Sequence, residues 1–166
     1  MHYRKLGSSD LQVPVISFGA WAIRALHAAI DHGINLIDTA PIYGMGHSET
    51  VLGRAIADRR DRVIIATKCG LRWDLDEGEK FFDTRDNCGN PRAIYKNLRP
   101  ESIRWECEQS LRRLGVDCID LYQCHWPDAT TPLADTMGVL MDLVKEGKIR
   151  WIGVSNFTPA MMEECL

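Results

Sequence analysis

Asp38, Tyr43, Lys68 and His125 are residue types that together can move a proton. A free phenol has a pKa near ~10 and stays protonated at neutral pH. An ammonium beside it favours the phenolate and lowers that value. Lys68, held and oriented by Asp38, is therefore expected to tune Tyr43 into a proton donor for a developing alkoxide. His125 is expected to hydrogen-bond the same oxygen and polarise a carbonyl. Such a site needs a hydride source on its other side. Taken singly, each residue has a plainer reading: Asp38 as a turn cap, Lys68 as a rim charge, His125 as a hydrogen-bonded structural histidine. The case for chemistry rests on their being placed together.

The elements that must place them read clearly. Val13 to Phe18 is an apolar run ending at Gly19, and Ile34 to Ile37 runs into Asp38. Arg62 to Thr67 ends at Lys68, Val116 to Cys124 ends in His125-Trp126, and Ile149 to Val154 ends in Ser155-Asn156-Phe157. The Arg62–Thr67 run is nearly continuous in apolar residues, as in a parallel strand buried on both faces. Between these runs lie helical stretches: Arg24–His32 before Gly33, Ser48–Asp58, Pro100–Leu114 before Gly115, and one carrying Leu133, Met137, Leu140, Met141 and Val144. Ile103, Cys107, Leu111 and Leu114 make a single helical stripe. Thr131-Pro132 and Thr158-Pro159 each read as a hydroxyl cap followed by proline in the first turn.

Alternation of this kind predicts an α/β fold with a parallel sheet and crossover helices. A doubly wound sheet and a (β/α)8 barrel both satisfy it, and both put chemistry at the C-terminal strand ends. Asp38, Tyr43, Lys68 and His125 would converge there. The segment from Leu71 to Leu98 is polar and reads as a long irregular loop on the same face. The connection between Gly19 and Arg24 is unusually short.

The run Asp38-Thr39-Ala40 with Tyr43-Gly44 and Gly46-x-Ser48-Glu49 resembles the aldo-keto reductase signature. Ala66-Thr67-Lys68, the strand-end His125 and Gly153-Val154-Ser155-Asn156-Phe157 follow in the family's order. Tyr3 to Gly7 resembles the hairpin that plugs the bottom of that family's barrel. The resemblance implies a (β/α)8 TIM barrel, here one domain over residues 1–166 with five βα units, and NADPH-dependent reduction of aldehydes or ketones. By position, Tyr43 would be the acid, with Asp38, Lys68 and His125 as partners. Ser155 and Asn156 would match the residues holding the nicotinamide carboxamide, although they read equally well as turn residues before Thr158. Trp21 and Trp126 are candidate substrate contacts; Trp105 and Trp151 read as packing residues. A whole barrel takes about 250 residues, and this chain has 166. The alternative is thus a catalytically incompetent partial barrel lacking late cofactor-binding elements, either a truncated product or a fragment that forms a homo-oligomer through exposed sheet edges.

Other classes fit poorly. A net charge of −3 argues against a nucleic-acid binder. No apolar run reaches membrane-spanning length. The six cysteines form no C-x-x-C pair and follow no apolar leader, which reads as reduced thiols in a cytoplasmic protein. Gly44 to Glu49 imitates a dinucleotide fingerprint, but Glu49 stands where the third glycine belongs. His27 and His32 are i, i+5 and point apart on a helix, so no metal site is expected.

Overall fold

The computed structural model describes residues 1–19 and 23–166. β1 (Tyr3–Lys5) and β2 (Gln12–Pro14) form an antiparallel hairpin. The expected first strand, Val13–Phe18, is thereby divided. Pro14 offers no N–H donor to continue a ladder, and the amide of Val15 turns back to His2 O at 3.0 Å. The parallel sheet begins only at β3 (Phe18–Gly19). The short connection after Gly19, with Trp21, lies outside the described residues.

β3 is joined in parallel by β4 (Leu36–Asp38) and β5 (Ile64–Cys69). After β5 the chain makes a small second sheet before returning to the main one: β6 (Leu71–Arg72), β7 (Glu79–Arg85) and β8 (Pro91–Lys96). The main sheet then closes with β9 (Ile119–Cys124) and β10 (Ile149–Val154). Its strands stand in the order β3-β4-β5-β9-β10, the order in which the chain makes them. A doubly wound sheet reverses direction at a switch point; this one does not, so it is singly wound, as in a barrel wall. The crossovers are α1 (Ile23–Asp31), α2 (His47–Ile56), α3 (Pro100–Leu114) and α4 (Leu133–Lys145), and α5 (Pro159–Glu164) follows β10. Among the described residues no helix is long and apolar enough to cross a membrane.

The core lies between the sheet and its helices. Ile37, Ile65, Cys69, Tyr122 and Cys124 from the strands meet Leu26, Leu52, Ile56, Leu140 and Leu143 from the helices. α3 contributes its expected stripe of Ile103, Cys107, Leu111 and Leu114, all buried. It ends where Gly115 takes φ +66°, a left-handed conformation that glycine adopts without steric penalty.

Three expectations need correction. Residues 71–98 are not structureless: β6, β7 and β8 pair antiparallel over most of the segment. The strands were hidden by charges scattered through them, as where Glu79 pairs with Lys96 and their side chains meet at 3.1 Å. Second, α4 is rotated relative to its expected stripe. It buries Thr136, Val139, Leu140 and Leu143, while Met141 and Val144 face outward. Third, Thr131 does not cap α4. Its hydroxyl donates to Asp128 Oδ2 at 2.9 Å, and the buried Asp128 also accepts the Leu98 amide at 2.9 Å. Thr158 does cap α5, accepting from the Met161 amide at 3.3 Å.

Candidate active site

The parallel ladder fixes where each strand ends. Asp38 pairs with Ala66, and Lys68 with Gln123. Pairing continues past the strands, with Thr39 N donating to Ala66 O at 2.9 Å and His125 N to Cys69 O at 3.0 Å. Asp38, Lys68 and His125 are therefore neighbours on one rim, which is the C-terminal end of the sheet.

Tyr43 reaches that rim by a different device. Gly44, Met45 and Gly46 take φ of +64°, +51° and +91° in succession, a left-handed turn in which only Met45 carries a Cβ. Backbone bonds lock it: Tyr43 N to Ala40 O at 3.1 Å, Gly46 N to Pro41 O at 2.6 Å and Ser48 N to Tyr43 O at 3.1 Å. The turn swings the phenol back over the strand ends. Its ring lies 5.3 Å from Lys68 Nζ and 5.9 Å, edge-on, from the His125 ring.

Lys68 Nζ donates to both Asp38 oxygens, at 2.8 and 2.7 Å, and to Thr39 O at 2.7 Å. Lys68 is buried, whereas the Asp38 side chain remains 40% exposed. This changes the electrostatics expected of Tyr43. The phenol pKa is raised rather than lowered, first by burial and then by the Asp38 charge. Tyr43 is thus a protonated donor at neutral pH. His125 is pushed down from 6.5 to about 4, by burial first and by Lys68 second, with Asp38 opposing. It stands neutral beside the phenol and can donate or accept a hydrogen bond.

Beneath this set is a support that sequence reasoning missed. Glu49, read in the sequence as part of the signature run and as the break in a dinucleotide fingerprint, is fully buried on α2. It accepts from Thr67 Oγ1 at 2.6 Å and pairs with Arg113 at 2.7 Å, so it ties α2 to β5 and α3. Arg113 also packs on the Tyr43 turn, where a Cβ at Gly46 would come within 2.7 Å of its Cδ. The available signal was an acid on the same helical stripe as Leu52 and Ile56, where an acid needs a partner.

The remaining candidates fall in two groups. Ser155 N donates to Cys124 O at 2.8 Å. Asn156, at φ +61°, donates through Nδ2 to His125 O at 2.8 Å and to Ser155 Oγ at 3.1 Å. Both lie beside His125, and Asn156 clasps its carbonyl. Trp126 stacks at a tilt on Phe81 of β7, 5.2 Å between ring centres. Trp21 lies outside the described residues. His27 and His32 spend their ring nitrogens on the carbonyls of Ala55 and Ala28, at 2.9 and 2.8 Å. Among the described residues no cluster of His, Cys, Asp or Glu could hold a metal.

The profile of the Aldo/keto reductase family matches residues 19–166. The chain belongs to the aldo/keto reductase family. It is 41% identical to the NADH-specific methylglyoxal reductase of Escherichia coli, covering 97% of this chain and 54% of that one. Among solved structures, a glycerol dehydrogenase from Gluconobacter oxydans matches with TM-score 0.85 and 40% identity, over 98% of this chain and 51% of that one. A Klebsiella pneumoniae aldo-keto reductase solved with NADPH matches with TM-score 0.71 and 34% identity, over 92% and 49%. This aldo/keto reductase chain thus spans about half the length of the relatives it matches.

For a nicotinamide, the donor set beside His125 is chemically apt. The Ser155 hydroxyl accepts from Asn156 and so keeps its own proton for a carboxamide oxygen, while the Asn156 amide oxygen can accept from a carboxamide nitrogen.

Proposed function

We propose that this chain carries the catalytic residues of a reductase of aldehyde or ketone carbonyls. The observation that carries the reading is the convergence at one rim of Tyr43, a Lys68 ammonium bound to both Asp38 oxygens, and a neutral His125. A bound NADPH would supply the hydride, with Ser155 and Asn156 holding its carboxamide. The Tyr43 hydroxyl donates a proton to the carbonyl oxygen as negative charge gathers there. His125 hydrogen-bonds the same oxygen and draws the carbonyl into line. Lys68 stabilises the phenolate left behind, and Asp38 keeps Lys68 aimed. Trp126, with Trp21, borders the substrate space. The six free thiols support a reducing, cytoplasmic setting.

Support for the nicotinamide comes from the relatives, but they divide over its type. The Klebsiella structure holds NADPH, whereas the Escherichia coli relative is named NADH-specific. Fluorescence titration with each nucleotide separates them.

The test of the acid is Tyr43→Phe. General acid catalysis contributes about 100-fold or more, so kcat/KM for a small aldehyde should fall by at least that factor at an unchanged melting temperature. A variant as fast as the parent removes Tyr43 from the mechanism. A second reading is favoured by the outer strands β3 and β10, which have no further strand partner among the described residues. Self-association through those edges would give sedimentation above the monomer mass; a monomer that binds NADPH tightly excludes it.

A further inference from the structure

We propose that the β7–β8 hairpin fixes the aim of Tyr43, with Asn87 at its tip as the positioning residue. This rests on the reductase reading of the site. The hairpin touches the rim at two separated places. Its tip reaches the turn after β4, where Asn87 Nδ2 donates to Gly44 O at 3.0 Å. Its stem reaches the second residue past β9, where Phe81 meets Trp126. It therefore straddles the site from Tyr43 to His125.

The tip is built to present Asn87 rigidly. Asp86 accepts from Cys88 N and Asn90 N, both at 2.9 Å, from Asn90 Nδ2 at 3.1 Å and from Arg92 at 3.0 Å. The receiving turn needs such a hold. Its three consecutive left-handed residues include Met45, and backbone in that region persists only when its surroundings over-determine it. Arg113 packs on this turn at Gly46, from α3. Asn87 holds it from the hairpin, on the carbonyl of the residue that follows Tyr43. The fit is close: at Gly44 a Cβ would lie 3.1 Å from His47 Cβ and 3.5 Å from the Asn87 amide. The phenol's direction over Lys68 thus depends on a segment that follows it by more than forty positions.

The experiment compares the parent chain with Asn87→Ala and Asn87→Gln. Asn87 is exposed, so neither change leaves a cavity. Amide hydrogen exchange of residues 44–48 should rise about fivefold in Asn87→Ala, the equivalent of one neutral hydrogen bond, while α3 amides stay as in the parent. For a small aldehyde, kcat should fall by a similar factor with KM unchanged, and Asn87→Gln, which keeps a donor, should recover part of both. Unchanged exchange over residues 44–48 in Asn87→Ala overturns the proposal. So does faster exchange with parental kcat. If the parent itself reduces no carbonyl, the reductase reading fails, and the exchange result still decides whether Asn87 holds the turn.

Discussion

The two ends of the parallel sheet each set an aspartate against a cation, but to opposite effect. At the N-terminal end, Asp120 is 5% exposed in its side chain and accepts from Arg60 at 2.6 Å, Arg150 at 3.0 Å and the Ile65 amide at 2.9 Å. Arg60 spends its other donors on Val63 O and Cys118 O. Arg150 continues to Asp10 in the β1–β2 connection, which also accepts from Trp151. Charge is reinforced there: the hydrogen bond to Asp120 holds the Arg150 guanidinium further into its charged form. At the C-terminal end, charge is withheld. His125 is kept neutral and Tyr43 protonated, and Asp38 stands part-exposed opposite a buried Lys68. A saturated ion cluster has nothing left to offer a substrate. A rim with an unspent phenol proton and a neutral imidazole does, in keeping with the division of labour between the two faces of such folds.

The sharpest way to break this contrast is Asp120→Ala. Removing Asp120 leaves the buried Ile65 amide without its acceptor, at a cost of about 1 to 3 kcal/mol, while Arg60 and Arg150 keep access to water. Urea unfolding should register that loss, and any protein still folded should reduce carbonyl at close to the parental rate. Lost turnover at an unchanged unfolding midpoint would mean the lower cluster is part of the chemistry, and the contrast would fall.

How much of this was legible in the sequence follows the range of the interactions involved. β10 and α3 were readable to the residue, because a continuous apolar run and a single helical stripe are local signals bounded by glycine or proline. Asp38, Lys68 and His125 were readable as a set because parallel strands end together, so order along the chain becomes proximity at the rim. Glu49, Arg113 and Asn87 act across long separations from polar positions, where composition says only that a residue prefers water. The β7–β8 hairpin was hidden for the same reason, since charged residues interrupt any apolar alternation along both strands. The direction of the Tyr43 shift was misread because it depends first on how far the fold buries the phenol and then on the charge of Asp38 nearby, neither of which residue type reveals.

A second test concerns protons rather than atoms. His125 in the folded chain has a pKa of about 4 against 6.5 for a free imidazole. Above 6.5 both states are neutral and nothing is lost. As the pH falls from 6.5 towards 4, the unfolded chain takes up a proton that the folded chain refuses, so stability declines across that window. His125→Gln removes this group, so its unfolding midpoint should fall less than the parent's between pH 7 and pH 4.5. Parallel pH profiles would show that His125 is not withheld from protonation, and the rim would then resemble the lower cluster.

The smallest expected effect sharpens the other side. Trp151 Nε1 donates to Asp10 Oδ1 at 2.9 Å, but the Asp10 side chain is 65% exposed and water can replace the bond. Trp151→Phe keeps most of the ring's packing and loses only that donor, so its cost should be about 0.5 kcal/mol. The exposed Arg150–Asp10 pair adds little by itself, as surface ion pairs do. What the pair of contacts does is fix the β1–β2 hairpin under the sheet, where Leu11 and Val13 are buried. Limited proteolysis between Leu6 and Pro14 should therefore quicken in Trp151→Phe while the melting temperature hardly moves. A large drop in melting temperature would mean that the saturated end depends on its exposed margin, and not on the buried Asp120 at its centre.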